Sequence, residues 1–257
     1  SLPAKVFRSF GLDPDFVMRR ITVKVRSKEE LEEELKKKYE LPPNLKHFAV
    51  NLNKLARFDK LPMIIGRDAE IEQMMEILCH IDRSNSVMII GEPGVGKTAV
   101  VEGLARRIEL EPKRVPKRLR DKQIVNLQMN SVVAGTIFRG MFEDRIEKII
   151  KEIKEKKNII FFIDEAHRFR NELTQGYENL HSICFGKKVI LVSATPLNNT
   201  IADIYSQLKL FQIPRKSDIP GIPNLEQFFA GLKKRIGKYN KTDPEYINTV
   251  KEASREM

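Results

Sequence analysis

The chain has 257 residues, enough for one large α/β domain or two small ones with a sizeable buried core. Hydrophobic residues make up 41% and charged residues 32%, and no apolar run approaches the roughly 18–20 residues a membrane span needs. A soluble protein without membrane contact is expected. Forty-six Lys and Arg against 35 Asp and Glu leave a net charge of +11, which favours an anionic partner such as nucleotide or nucleic acid.

The first ten residues lack the apolar stretch of a signal peptide. Only Cys79 and Cys184 occur, with no CxxC, so buried thiols in a cytoplasmic protein are expected and a disulfide framework or zinc site is not. Ser27-Lys-Glu-Glu30 is a capping box that opens a short exposed helix, and Leu41-Pro-Pro43 stops it. From Arg67 to Ile81 the residues Ile71, Met74, Met75, Leu78 and Ile81 recur at helical spacing, with Asp68 as the expected cap. Short apolar runs then alternate with longer periodic ones, the pattern of βα units and a parallel sheet. Strands are expected at Val87–Ile90, Ile124–Leu127, Ile159–Ile163 and Val189–Ser193, and helices at Lys97–Leu110 and Arg139–Lys156, the latter with Phe142, Ile146, Ile149 and Ile153 inward. Helices at Ile201–Phe211 and Asn224–Ile236 follow, and Asp243-Pro244 opens a last one.

Gly91-Glu-Pro-Gly-Val-Gly-Lys-Thr98 matches G-x-x-x-x-G-K-[ST] between a strand and a helix, the context that makes this motif specific. Its glycines let backbone N–H groups turn toward phosphate oxygens, and the helix N-terminus adds partial positive charge. Lys97 is expected to reach the β and γ phosphates and Thr98 to offer its hydroxyl to Mg²⁺. Gly91, Glu92, Pro93, Gly94, Val95, Gly96 and Ala99 complete the expected ATP cradle. The strand Ile159–Ile163 ends in Asp164 and Glu165, at the edge where such sheets bind ligands. Asp164 is expected to hold Mg²⁺ and Glu165 to polarise the attacking water. His167 is either a packed imidazole or a coupling residue.

Leu41 to about His167 resembles the first ATPase module of the Clp/Hsp-type AAA+ unfoldases. The likeness rests on Lys60-Leu-Pro-Met-Ile-Ile-Gly-Arg67, the run from Gly91 to Ile108, and Val133-Ala-Gly-Thr-Ile-Phe-Arg-Gly-Met-Phe-Glu-Asp-Arg145. It implies that Ile64 and Ile65 border the adenine and that Phe138 holds the aromatic position of a pore loop gripping polypeptide. Gly11 to Arg20 is similar to the tail of a Clp N-terminal domain. From Asp164 on, Asp164-Glu-Ala-His-Arg-Phe-Arg-Asn171 and Lys188-Val-Ile-Leu-Val-Ser-Ala-Thr-Pro-Leu-Asn-Asn199 look like motifs II and III of Swi/Snf-type superfamily-two helicases. That second resemblance implies that Ser193 and Thr195 link nucleotide state to nucleic acid. Under the AAA+ reading Thr195 or Asn198 is the polar sensor. A chimera of two P-loop NTPases joined near Ile163–Arg170 is therefore expected.

Both families complete their sites with an arginine. None occurs between Arg170 and Arg215, and no second helicase lobe precedes Met257; such a finger is worth about 10³–10⁵ in turnover, so hydrolysis is expected to be weak or absent. The basic stretch Lys113-Arg-Val-Pro-Lys-Arg-Leu-Arg120 reads as a solvated loop or a phosphate contact.

The expected fold is α/β: a P-loop NTPase three-layer sandwich with a mainly parallel central sheet and helical extensions at both ends. Residues 1–43 form the N-terminal segment, 44–213 the core and 214–257 the C-terminal extension. Glu165, Lys97 and Thr195 are the catalytic candidates, Thr98 and Asp164 the metal ligands, and ATP with Mg²⁺ the cofactors. A polypeptide or a nucleic acid is the possible macromolecular partner, and a Clp-type hexamer is not expected. The rivals are a nucleic-acid-dependent ATPase and a recombined scaffold retaining only nucleotide binding.

Overall fold

The computed structural model describes residues 28–81, 85–128, 139–169, 174–193 and 201–236. Contacts divide the chain into two compact units, Ser1–Glu40 and Leu41–Met257. The first unit holds helix α1 (Lys28–Lys38), whose last turn carries Lys36, Lys37 and Lys38 against the negative end of the helix dipole.

The second unit is built on a five-stranded sheet. Its strands are β1 (Ala49–Asn51), β2 (Val87–Ile90), β3 (Gln123–Leu127), β4 (Ile159–Ile163) and β5 (Lys188–Ser193), in the order β1-β3-β4-β5-β2. Every pairing is parallel except β1 with β3. All five residues of β4 are buried. Such an unbroken apolar strand needs cover on both faces, and the side-chain alternation supplies it. Phe161, Ile163, Val189 and Leu191 pack on one face against α6 (Arg139–Lys154) and α7 (Gln175–Cys184). Ile160, Phe162, Ile190 and Val192 pack on the other against α4 (Asp68–Cys79) and α5 (Lys97–Leu110). Helices on both faces of a mainly parallel sheet make the expected three-layer α/β sandwich.

Two short helices, α2 (Pro43–Lys46) and α3 (Leu52–Arg57), frame β1. Buried Asn53 donates to Glu109 on α5 and to the Lys122 carbonyl, and accepts from the Ile124 N–H at 2.7 Å, tying α3 to β3 and α5. Beyond β5, α8 (Ile201–Lys209) and α9 (Leu225–Ile236) share a small core of Ile204, Leu208, Ile222, Leu225, Phe229 and Leu232. Among the described residues no helix is long and apolar enough to cross a membrane.

The strands and long helices lie within a few residues of their expected bounds, and Ile146, Ile149 and Ile153 are buried as expected. One expectation needs correction. Asp68 is the first residue of α4 rather than its cap; the N-cap is Arg67, and the Asp68 carboxylate accepts from the buried Arg107 guanidinium of α5. Of the two thiols only Cys184 is buried; Cys79 is half-exposed. Burial pushes both up, Cys184 most strongly, so neither is a ready nucleophile. The side chain of Phe142 and the helix expected at Asp243-Pro244 lie outside the described residues.

The register decides where chemistry can collect. Ile90 is level with Ser193, and Leu191 with Ile163. The parallel strands β2, β4 and β5 therefore end at one edge of the sheet, and the chain leaves all three there.

Candidate nucleotide site

At that edge β2 gives way to the loop 91–96, and α5 starts at Lys97. Gly94 and Gly96 have φ of 79° and 86°, values that L side chains rarely adopt. No side chain caps α5, so its first N–H groups are left for an anion, and the helix dipole favours one. Lys97 Nζ donates to the carbonyls of Gly91 at 3.0 Å and Glu92 at 2.7 Å. Arg67 ties the other side of the loop, donating to the Val95 carbonyl and, at 2.7 Å, to Glu70.

One turn into the site, Thr98 Oγ1 donates to Asp164 Oδ2 at 3.0 Å. The second carboxylate oxygen of Asp164 accepts the Glu165 N–H at 2.9 Å. This pair joins the start of α5 to the end of β4, residues 66 apart in sequence. Glu165 is exposed and sits at φ 54°, a left-handed conformation that costs a non-glycine residue about 1–2 kcal/mol. Strain of this kind concentrates at functional positions.

Glu102, one turn after Thr98 on α5, joins the cluster. Burial first, and the Asp164 charge second, push its carboxyl above the usual carboxylate range. Sequence reasoning missed both Glu102 and Arg67. The i,i+4 spacing from Thr98 marks Glu102, and Arg67 closes the quoted Ile-Gly-Arg run.

The other expected residues are placed less uniformly. Beside the loop, between α4 and β2, lies a cavity of about 310 Å³ whose lining includes Arg67, Met74, Ile77, Ile89, Val95 and Lys97. Ile64 and Ile65 do not line it. Ile64 is half-buried close to Gly103 of α5, and Ile65 is 82% exposed. Ser193 is fully buried at the end of β5, and its hydroxyl meets no partner among the described residues. Phe138, Thr195, Asn198 and the side chain of His167 lie outside the described residues. In the basic stretch, Arg114 pairs with Glu111 at 2.9 Å and Arg120 donates to the Val115 carbonyl, anchored by the buried Val115 and Leu119.

The donors present fit Mg²⁺–ATP. A hydroxyl and a carboxylate already within hydrogen-bond distance are the hard oxygen ligands Mg²⁺ prefers. The ammonium of Lys97 and the left-handed glycines suit phosphate.

Residues 87–185 match the model of the ATPase family associated with various cellular activities (AAA). Over those residues the chain is similar to AAA ATPase domains. It is 49% identical over 140 residues to the chaperone protein ClpB of Aquifex aeolicus, covering 54% of this chain and 13% of that protein. It is 36% identical over 203 residues to the ATP-binding subunit ClpE of the Clp protease of Lactococcus lactis, covering 76% of this chain and 27% of that protein. A closed-state cryo-EM reconstruction of Hsp104 with ATPγS and FITC-casein superposes with a TM-score of 0.56 at 31% identity, over 66% of this chain and 30% of that one. The chain thus spans 13% to 27% of these two curated relatives. The AAA match runs through residues 163–170 to residue 185, and the 203-residue likeness to ClpE is longer than everything before that point. The Clp-like resemblance therefore continues past the join expected from sequence, and these likenesses support neither a helicase segment nor a chimera.

Proposed function

We propose that the chain is an ATP–Mg²⁺-binding module of Clp-like AAA+ type, with residues 44–213 as its core and 214–257 as a C-terminal extension, and that alone it hydrolyses ATP weakly or not at all. The observation that carries this reading is the Thr98–Asp164 hydrogen bond of 3.0 Å beside the glycine loop. It brings Thr98 and Asp164, the proposed oxygen ligands, together at the mouth of the glycine loop.

In this reading Gly91 to Ala99 wrap the phosphates with backbone N–H groups, and Lys97 exchanges its two carbonyl partners for β- and γ-phosphate oxygens. Thr98 and Asp164 hold the metal. Bound there, Mg²⁺ neutralises charge on the transferred phosphoryl group. Glu165 orients and polarises water, and Arg67 fixes the loop tip at Val95. Ile64 and Ile65 are assigned to the base, and Thr195 or Asn198 to nucleotide sensing, on the family resemblance. A polypeptide substrate follows from the same resemblance, with Phe138 as its contact. The trans-acting arginine of a Clp ring has no counterpart between Arg170 and Arg215, which is why catalysis is expected to be faint and a Clp-type hexamer absent.

The test is the melting temperature with and without ATP–Mg²⁺. A ligand present at 100 times its Kd stabilises the folded state by about 2.7 kcal/mol. The wild type should show this rise and Lys97→Ala should lose it; an unchanged rise in the variant removes Lys97 from the site. Light scattering with ATP tests assembly, and a mass near six times 29.7 kDa would overturn the non-hexameric expectation.

A second reading, a nucleic-acid-dependent ATPase, rests on Asp164-Glu-Ala-His167 and Ser193-Ala-Thr195. Phosphate release stimulated by single-stranded DNA but not by an unfolded polypeptide would favour it; the converse favours the Clp-like reading.

A further inference from the structure

The opposite edge of the sheet, where β4 and β5 begin, holds a groove of about 910 Å³ that the nucleotide site does not use. Five lysines line it, Lys154, Lys157, Lys187, Lys188 and Lys209, against one carboxylate, Asp218. Three of these lysines have structural partners, Lys209 lying over the Tyr205 ring at 4.5 Å from its centroid. Lys187 Nζ donates to the carbonyls of Ile153 and Lys154, at the end of α6, and of Lys156 just beyond it, and Lys188 Nζ donates to the Leu78 carbonyl near the end of α4 at 2.7 Å. The cations crowd one another. Burial and then Lys157 lower Lys187, and burial and then Lys122 lower Lys188. Lys154 and Lys157 meet no carboxylate among the described residues.

The same groove exposes apolar side chains. Phe185 is 69% exposed, Ile213 58% and Ile81 70%. Single exposed apolar residues are ordinary, but three lining one groove mark it as a candidate contact site. Phe185 is held by its neighbours: its ring lies 6.1 Å from that of His181, which stacks on Tyr177 at 6.3 Å.

We propose that this groove docks an acidic peptide segment with interspersed apolar residues, supplied by a partner protein. Charge complementarity selects an anionic occupant, since five lysines line the groove against one carboxylate, Lys154 and Lys157 among them without a carboxylate partner among the described residues, and the whole chain carries +11. The apolar rim selects peptide over nucleic acid. Single-stranded nucleic acid is bound on stacked aromatic platforms with arginine support, and this groove pairs one exposed aromatic ring with two isoleucines and no arginine. Carboxylates on alternate residues would meet Lys154 and Lys157, and the residues between them would cover Phe185, Ile213 and Ile81.

The test is fluorescence anisotropy on the full chain, with a short labelled peptide alternating glutamate and leucine. Its lysine–leucine counterpart and a labelled oligothymidylate are run beside it. The acidic peptide alone should bind, and added salt should weaken it. Lys154→Glu with Lys157→Glu should weaken it at least tenfold, and Phe185→Ser by a similar factor. Both variants should keep the ATP-dependent rise in melting temperature, which reports folding and the separate nucleotide site. If the double charge reversal loses that rise, Lys154→Gln with Lys157→Gln replaces it, with a smaller but measurable loss of peptide affinity expected. Unchanged peptide affinity in the folded lysine and Phe185 variants overturns the proposal. So does no peptide binding, and so does tighter binding of oligothymidylate that is lost in the same variants, which would assign the groove to nucleic acid.

Discussion

The two edges of the sheet use the same interaction, a lysine ammonium on backbone carbonyls, in different ways. At the nucleotide edge Lys97 holds the Gly91 and Glu92 carbonyls of a glycine loop, whose left-handed residues and uncapped helix start can turn N–H groups toward an anion. At the far edge Lys187 gathers the carbonyls of Ile153 and Lys154, at the end of α6, and of Lys156 just beyond it, where the helix no longer supplies i+4 donors. The first arrangement is exchangeable, because phosphate offers Lys97 a stronger, charged acceptor. The second has no competing acceptor in view, and without Lys187 the helix end keeps only the Lys156 N–H on the Ile153 carbonyl. The contact alone does not distinguish function from structure; what each partner can do without it does.

The largest effect that sharpens this comparison lies in the chemistry. Glu165→Gln should lower whatever ATP hydrolysis exists by about 10²–10⁴, since the amide keeps the shape but cannot act as base, while nucleotide affinity is retained. Equal turnover in both proteins would show the activity to be background and would detach Glu165 from the site.

Next comes the pair of lysines. Lys97→Met, at a half-buried position, should cost no more stability without nucleotide than Lys187→Met, yet abolish the rise in melting temperature on adding ATP–Mg²⁺. Lys187→Met should do the reverse. It should cost about 1.5–3 kcal/mol, the range for hydrogen bonds to a charged group, and leave the nucleotide-induced rise intact. Identical behaviour of the two variants in calorimetry would break the distinction between exchangeable and structural contacts.

The two edges also differ in how much of them the sequence discloses. The nucleotide edge is legible because its chemistry is local: Gly91 to Thr98 is one contiguous run, and Asp164-Glu165 follows one buried strand directly. The far edge is assembled from Lys154, Lys188, Ile81 and Ile213, side chains scattered along the chain that the parallel register alone brings together. The layers follow from apolar periodicity in β2, β4, β5, α5 and α6. Strand β1 is too short, at three residues, to show a period. Helix α7 falls in a stretch that the chain from Glu172 to Phe185 marks only by its cap, Thr174, whose side chain accepts the Tyr177 N–H. Asp68 misleads because a carboxylate at a helix start reads as a cap, whereas a buried arginine 39 residues on takes it.

A smaller effect probes the packing behind the nucleotide edge. A Cβ added at Gly103 would lie 2.6 Å from Ile71 Cδ1 and 3.5 Å from Ile64 Cγ1. Ile71 is buried and has little room to yield. Overpacking costs about 1–3 kcal/mol, and the helix preference of alanine over glycine returns up to about 1 kcal/mol. Gly103→Ala should therefore destabilise the protein by about 1–2 kcal/mol. If Ile64 borders the adenine, ATP affinity should fall as well; a stability loss with unchanged affinity would take Ile64 out of the site.

The smallest effect separates strain from catalysis at one residue. Glu165 holds φ 54°, where a side chain costs about 1–2 kcal/mol and glycine costs nothing. Against that gain stands the larger entropy glycine loses on folding, roughly 0.5–1 kcal/mol. Glu165→Gly should thus raise stability without nucleotide by up to about 1 kcal/mol, read in chemical denaturation. Glu165→Gln, which keeps a β-carbon, should leave that stability unchanged while losing the same hydrolysis. The pair distinguishes two reasons for a glutamate in a left-handed backbone. If the turn exists to aim the carboxylate, the glycine variant is more stable and inactive. If Glu165→Gly is instead less stable than wild type, the side chain contributes more to the end of β4 than its backbone costs, and the strain is not a sign of a functional position.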